Sequence, residues 1–260
     1  MTESQNLNTA RARHPGPSGS VAREGLGAAL AAEPNQLLAR LTPDDYNALL
    51  TELRPARLDV RTVLIAANEP IEDVWFVRSG VGSMIARQQE GGGVEVGTIG
   101  WEGFVGLPIL HGVDRMAYEV IVQVEGDAWR MRADTFRHLI DERPRLRELC
   151  LRYAQYFSDQ MAQSVACNRL HALEERCAKW LLTTRDRVDS DTFSLTQDFL
   201  AIMLGVRRAG VSIAMGVFQR DGSVRYVRGE VTIVDREKLE SVACDCYRIT
   251  REALERAFPT

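Results

Sequence analysis

The stretch LTQDFLAIMLGVRRAGVSIAMGVF, residues 195–218, predicts two helices separated by a tight turn. It has the pattern of a helix–turn–helix, with a small residue in the first helix, a glycine at the turn, and apolar residues where the helices pack together. The small residue is Ala201 and the glycine is Gly205, which supplies the positive φ that ends the first helix. The apolar positions are Leu200, Leu204, Val206, Val211 and Ala214.

Two arginines, Arg207 and Arg208, open the second helix. A helix of this kind meets base edges in the major groove at its start, and arginine suits the O6/N7 edge of guanine. Between Gly205 and Arg228 the chain holds five arginines and one acid, Asp221, although its net charge is −4. This segment predicts a local DNA-binding face. The alternative is an αα-hairpin in an enzyme core with a solvated basic face.

The next segment, DGSVRYVRGEVTIVD, predicts a β-hairpin wing beside this helix pair. On it, Arg225 and Arg228 are candidate phosphate contacts, which would make DNA affinity depend on salt. Thr196 is predicted to be the N-cap of the first helix and is also a candidate phosphate contact. Gln197 and Ser212 complete the candidate DNA contacts by their positions.

The composition of the chain is that of a globular protein. With 260 residues, 45% hydrophobic and 26% charged, it has room for one or two domains. No apolar run approaches the ~18–20 residues of a membrane span, and the N-terminus lacks the apolar core of a secretory signal. We therefore expect a cytoplasmic protein with no membrane partner.

Cysteine usage and motif content indicate no metal, cofactor or catalytic site. The five cysteines are odd in number and spread along predicted helices, which favours reduced thiols. Cys244 and Cys246 are expected on different faces of one helix, and His171 is interpreted as a packed or solvated side chain, so no metal site is expected. The stretch EGGG at 90–93 predicts a hairpin tip rather than a phosphate loop. We expect no enzyme.

The chain divides into four segments. Residues 1–33 are rich in Gly, Pro, Ser and Arg and are predicted to be a disordered tail. Residues 34–145 contain short β-rich runs broken by turn residues, which predicts a barrel or sandwich. Residues 146–169 have a helical period. Residues 170–260 form a second compact unit that ends in a helix over 235–258.

The helix over 146–169 carries a long apolar and aromatic stripe, which needs a partner surface. Two interpretations stay open: packing on its own β domain, or the seam of a symmetric coiled-coil dimer. The candidate dimer residues are Leu146, Leu149, Cys150, Tyr153, Phe157 and Ser164.

A β-roll, a long helix and a winged helix–turn–helix together resemble the cyclic-AMP-receptor/fumarate–nitrate-regulator (Crp/Fnr) family of bacterial transcription factors. The resemblance covers roughly residues 36–235, and VLIAANEPIEDVWFVRSGVGSMI at 63–85 is similar to the first hairpins of that β-roll. It implies an α+β fold with a cyclic-nucleotide-binding-type roll, and a homodimer joined along 146–168. It also implies a two-fold symmetric double-stranded DNA operator, with RNA polymerase as a partner if the protein activates transcription.

The resemblance assigns roles to a few residues of the reading helix. Arg208 matches the family's guanine-reading arginine. The two other usual base-reading positions, a glutamate and a second arginine in the family, are Ala209 and Ile213 here. The operator is therefore expected to differ from the best-known family consensus.

The candidate effector pocket departs from the family pattern. Gly106-Leu107 stands where Gly-Glu binds ribose, and Arg115-Met116 stands where Arg-Ser or Arg-Thr binds phosphate. Met161 lies where a polar pair reads the base. We therefore expect poor binding of cyclic AMP, while a cyclic dinucleotide, another small molecule or no effector remain open. The first cysteine is Cys150, so the family's N-terminal iron–sulfur sensor is not expected.

Two function classes remain. The first is a dimeric DNA-binding transcription regulator with an altered pocket. Whether such a regulator needs an effector stays open. The second is a small-molecule-binding module that acts through a protein partner without binding DNA.

Overall fold

The computed structural model describes residues 27–87, 92–188 and 190–259, and it has the expected α+β architecture. Residues 54–132 form a β-roll of two four-stranded antiparallel sheets, in the orders β1-β8-β3-β6 and β2-β7-β4-β5. The strands are β1 (Arg54–Leu58), β2 (Val63–Ile65), β3 (Asp73–Val77), β4 (Val81–Arg87), β5 (Gly93–Ile99), β6 (Phe104–Val105), β7 (Glu119–Val124) and β8 (Gly126–Arg132). The predicted hairpin tip at 90–93 falls partly outside the described residues.

Helices precede, interrupt and follow the strands of the roll. They are α1 (Pro43–Leu50), α2 (Leu107–Leu110), α3 (Ala133–Glu142) and the long α4 (Pro144–Leu170). The Thr42 hydroxyl caps α1 by accepting a hydrogen bond from the Asp45 backbone N–H, and Pro43 occupies the first turn.

The winged unit, residues 173–242, follows α4 after two residues. It contains α5 (Leu173–Val188), β9 (Thr192–Ser194), α6 (Gln197–Leu204), α7 (Arg208–Asp221), β10 (Val224–Val227), β11 (Glu230–Ile233) and α8 (Arg236–Val242). Its apolar core continues without a break into one sheet of the roll, through Val81, Ile85, Ile121 and Val124. The winged unit therefore docks on the roll.

The tail prediction is wrong for residues 27–33, while residues 1–26 lie outside the described part of the chain. Residues 27–31 are helical, and the Glu33 side chain is buried. Glu33 accepts hydrogen bonds from the Tyr46 hydroxyl at 2.9 Å and the Trp129 indole at 3.0 Å, and it pairs with Arg78. These partners are distant in sequence, so composition alone does not indicate that the segment is anchored.

The predicted dimer stripe of α4 packs inside its own chain. Leu146, Leu149, Cys150, Tyr153 and Phe157 belong to the core of the roll, and Ser164 donates its hydroxyl to the backbone of α4 itself. The contact is close: a Cβ at Gly103 would overlap the Tyr153 ring, and one at Gly97 would meet the Phe157 ring. This surface has no room for a second copy, so the other interpretation of the stripe, packing on the β domain, is the one that the structure shows.

A second stripe of α4 faces outward. Leu151, Gln155, Ser158, Ala162, Val165 and Arg169 are all exposed, alternately four and three residues apart. That spacing is the one found along a coiled-coil seam. Val165 is 72% exposed, which is unusual for a large aliphatic side chain.

The C-terminal segment is two helices rather than the single predicted one. Ala243 adopts an extended conformation after α8, and α9 (Cys246–Ala257) begins three residues later. α9 contacts both units: Tyr247 belongs to the core of the winged unit, whereas Ala253, and Phe258 just after the helix, pack into the core of the roll. The break places Cys244 outside any helix.

Among the described residues, no single helix is long and apolar enough to cross a membrane. Only α6 and α7 taken together pass such a test, and they are bent by 109° relative to each other.

Candidate DNA interface and its junction with the roll

The helix–turn–helix is built as the sequence predicts. Thr196 caps α6 by accepting from the Phe199 N–H at 3.2 Å, and Gly205 ends it with φ +64°. Arg176 of α5 donates to the Leu204 carbonyl at the end of α6 and fixes the turn against the rest of the unit. The 109° bend between α6 and α7 lies in the range of this motif.

The N-terminal half of α7 presents the predicted DNA contacts to solvent. Arg207, Arg208 and Ser212 are exposed. Arg208 approaches Asp198 at 3.5 Å, but both side chains are about two-thirds exposed, so this ion pair contributes little and leaves the guanidinium available. Ser212 donates to the Gln197 side chain at 2.6 Å, which links α6 to the same face.

The wing adds charge beside this face. Arg225 and Arg228 are exposed on the β10–β11 hairpin, and Arg228 takes φ +51° at its turn. The Leu195 N–H donates to the Gly229 carbonyl at 2.8 Å, so the wing turn is held next to the start of α6. The structure thus places Thr196, Gln197, Arg207, Arg208, Ser212, Arg225 and Arg228 on the helix–turn–helix and its wing.

One further residue of this face stands at a base-reading position of the resembled family but was not chosen as a DNA contact. Ile213 is 64% exposed beside Ser212 on α7. An aliphatic side chain in this position suits the methyl group of thymine. The signal was available in the sequence, since Ile213 stands at one of the base-reading positions of the family that the chain resembles.

A buried ion pair joins the winged unit to the roll. Arg187 of α5 donates to Glu102 Oε1 through Nη2 at 2.8 Å and Nε at 3.0 Å, and Nη2 also lies 3.1 Å from the Tyr156 hydroxyl of α4. The Arg187 side chain is 8% exposed and that of Glu102 1%. Burial disfavours the charge on Arg187, but the Glu102 carboxylate outweighs it and raises the pKa of the guanidinium.

A second set of polar contacts crosses the same junction. The Trp180 indole of α5 donates to Glu95 Oε1 at 3.0 Å, and Gln123 Nε2 donates to the Thr184 hydroxyl at 2.9 Å. The Ser83 hydroxyl lies 2.6 Å from both Glu95 and Gln123 and connects them. Strands β4, β5 and β7 are thereby bonded to α5.

Glu95 titrates near neutrality. Burial raises the pKa of its carboxyl to about 7, although hydrogen bonds from Ser83 and Trp180 oppose the shift. Below that pH the protonated carboxyl can donate to Ser83, which frees the Ser83 hydrogen for Gln123. The hydrogen bonds then run without interruption from Glu95 through Ser83 and Gln123 to Thr184.

Two domain models match the chain. The cyclic nucleotide-binding domain covers residues 56–143, and the Crp-like helix-turn-helix domain covers residues 175–242. The chain belongs to the Crp/Fnr family. It is a Crp/Fnr-like transcription regulator with a cyclic nucleotide-binding domain and a DNA-binding helix–turn–helix. No curated protein sequence matches it.

Solved structures of Crp/Fnr regulators share this fold. The c-di-GMP responsive global regulator CLP of Xanthomonas campestris is 15% identical, with a TM-score of 0.61 over 74% of this chain and 99% of that one. FixK2 from Bradyrhizobium japonicum is 13% identical, with a TM-score of 0.60 over 74% and 98%. A CRP-family transcriptional regulator from Thermus thermophilus is 15% identical, with a TM-score of 0.61 over 72% and 96%.

The candidate effector residues of this Crp/Fnr chain are divided between the core of the roll and its surface. Leu107 is buried in the roll core, and Met116 and Met161 are half-buried against it. Arg115 is exposed and donates to the Asn68 carbonyl at 2.8 Å. Gly106 has φ +117° and touches Val74 so closely that a Cβ would lie 2.7 Å from it.

We expect the stability of the docked arrangement to depend on pH through Glu95. Because the pKa of this carboxyl is raised, its stabilising contribution is complete below the ordinary value of 4.5 and is lost as pH rises through about 7. Urea unfolding of wild type and Glu95→Gln from pH 5 to pH 8 should show the wild type losing stability relative to the variant. Glu52→Gln, at an exposed carboxyl, is the control. A constant difference between wild type and Glu95→Gln would contradict the assignment.

Proposed function

We propose that this regulator binds a two-fold symmetric DNA operator as a homodimer and does so without a cyclic nucleotide. The observation that carries the proposal is the exposed arginine face of α7 and its wing, in a chain that is acidic overall. Phosphate contacts from Arg225 and Arg228 position the duplex, while Arg208 reads a base edge. The role is regulatory rather than catalytic, and RNA polymerase is the further partner if the protein activates transcription.

The independence from a cyclic nucleotide rests on the roll. Recognition of a cyclic nucleotide needs an acceptor for the ribose hydroxyl and an inward cation for the phosphate. Here Leu107 stands at the acceptor position and is buried among apolar side chains, and Arg115 is tied to a backbone carbonyl at the surface. The Phe157 and Tyr153 rings lie flush on Gly97 and Gly103, so α4 and the roll meet without a gap there.

The dimer seam that we propose is the outward stripe of α4. Leu151 and Val165 are large, aliphatic and exposed, and the stripe repeats at the spacing that two parallel helices bury between them. A second copy covers this face and sets the distance between the two α7 helices. The inner stripe of α4 is already used by the roll of the same chain.

Replacing Arg208 should alter sequence selectivity. Selection of random duplexes by the ligand-free protein should yield a two-fold symmetric motif, and Arg208→Ala should weaken binding to it by ~1–3 kcal/mol and relax one base pair per half-site. Arg225→Ala should instead weaken binding to every duplex and lower the salt slope by ~1. Arg137→Ala removes an exposed charge from α3 and should leave binding unchanged.

Unaltered selectivity of Arg208→Ala would overturn the assignment of the reading helix. Absence of enrichment by the wild type, with and without cyclic mono- and dinucleotides, would favour a module that acts through a protein partner.

Replacing Val165 should dissociate the dimer. Val165→Asp places one carboxylate from each subunit in the proposed seam, and burying two like charges there is strongly unfavourable. Sedimentation velocity should show a dimer for wild type and a monomer for Val165→Asp. Val234→Asp changes a similarly exposed valine after the wing and should remain dimeric. A dimeric Val165→Asp, or a monomeric wild type, would contradict the seam.

A further inference from the structure

Three thiols and an imidazole converge at the hinge between α4 and the winged unit. Cys167 lies in the last turn of α4, and His171 is its C-cap residue. Cys244 lies in the break between α8 and α9, and Cys246 is the first residue of α9. The four donor atoms all lie within 4.8 Å of one another.

The separations match a tetrahedron around one ion. Cys167 Sγ and Cys244 Sγ are 3.6 Å apart, and Cys246 Sγ lies 3.4 Å from His171 Nδ1. Zinc bonds of about 2.3 Å to sulfur and about 2.0–2.1 Å to nitrogen imply donor separations of about 3.8 Å and about 3.5 Å. All four donor atoms lie within 4.8 Å of one another, so one ion between them is within bonding reach of each.

The surroundings of the cluster also fit a metal site. Cys167, Cys244 and Cys246 are buried and form a cluster of their own, apart from the two apolar cores. Gln163 Nε2 donates to Cys246 Sγ at 3.0 Å, the kind of outer contact that orients a coordinating thiolate. The other two cysteines, Cys150 and Cys177, are buried singly in the apolar cores.

The sequence-based expectation of no metal site placed Cys244 and Cys246 on one continuous helix. The structure divides that helix, and Cys244 turns toward Cys167 from an extended segment. The interpretation of His171 as a packed or solvated side chain likewise omitted its contact with Cys246. All four residues lie outside the two matched domains: Cys167 and His171 fall between residues 143 and 175, and Cys244 and Cys246 follow residue 242.

We propose that Cys167, His171, Cys244 and Cys246 bind one divalent ion of the Zn²⁺ class in a closed, structural Cys₃His site. Four protein donors complete a tetrahedron and leave no position for a substrate. Soft thiolate and imidazole donors select zinc over magnesium or calcium. The ion clamps the end of α4 to the α8–α9 break, and so it fixes the direction in which the winged unit leaves the long helix.

The metal content of the purified full-length protein tests the site. With any affinity tag removed and thiols kept reduced, elemental analysis should find about one zinc per chain. Cys244→Ala/Cys246→Ala should lose it, whereas Cys150→Ala and Cys177→Ala should keep it. Full retention of zinc by the double variant would place the ion elsewhere and overturn the proposal.

Cobalt binding by the wild type tests the site without relying on a variant that folds. After metal removal under reducing conditions, the wild-type protein should take up one Co²⁺ per chain with the absorption of a tetrahedral thiolate complex, and Zn²⁺ should displace it. No saturable Co²⁺ binding would overturn the proposal.

Hydrogen exchange tests the clamp itself. Removing the metal should accelerate amide exchange at residues 166–172 and 243–247, while α1 and α3 in the roll should exchange as before. Unchanged exchange in both hinge segments would show that the ion does not act as a clamp.

Discussion

The buried pair between Arg187 and Glu102 determines how the two halves of the chain sit together. A guanidinium and a carboxylate removed from water are tolerated only when they satisfy each other. Arg187 comes from α5 and Glu102 from the loop before β6, so the only arrangement that pairs them is the docked one. The Tyr156 hydroxyl adds α4 to the same contact. Three parts of the fold thereby share one electrostatic constraint.

The long helix α4 has three separate tasks on three surfaces. Its inner stripe, with Tyr153 and Phe157, completes the core of the roll. Its outward stripe, with Leu151 and Val165, is the face that we propose for a second copy. Its C-terminal turn, with Cys167, carries the hinge cluster. Because a helix is stiff, a change at one of these surfaces reaches the other two as a change of helix position. This gives a physical route from the roll to α7.

Features that depend on interactions between neighbouring residues could be predicted from the sequence, and features that depend on residues distant in sequence could not. The α6–α7 turn was predictable because Thr196 and Gly205 act locally, through a cap and a positive φ. The partner of the apolar stripe of α4 was not predictable, since its helical period fits either a roll core or a dimer seam, and only the position of the roll decides between them. No proline or glycine marks the break at Ala243. Packing around Cys244 overrides helix propensity there, so the break was not predictable from local sequence. Of the candidate site, the proposed DNA contacts followed from local pattern, whereas the hinge cluster needed residues 77 positions apart to meet.

Thermal unfolding of Glu102→Gln measures the junction most directly. The substitution keeps the shape of the side chain but leaves the Arg187 charge buried without its partner, and the account predicts a loss of ~3–5 kcal/mol in the free energy of unfolding. Glu125→Gln breaks an ion pair with Arg57 in which both side chains are 63% exposed, and it should cost at most ~1 kcal/mol. Calorimetry should therefore show a clearly lower midpoint for Glu102→Gln than for wild type and Glu125→Gln. Equal midpoints for the two variants would contradict the claim that this pair holds the winged unit on the roll.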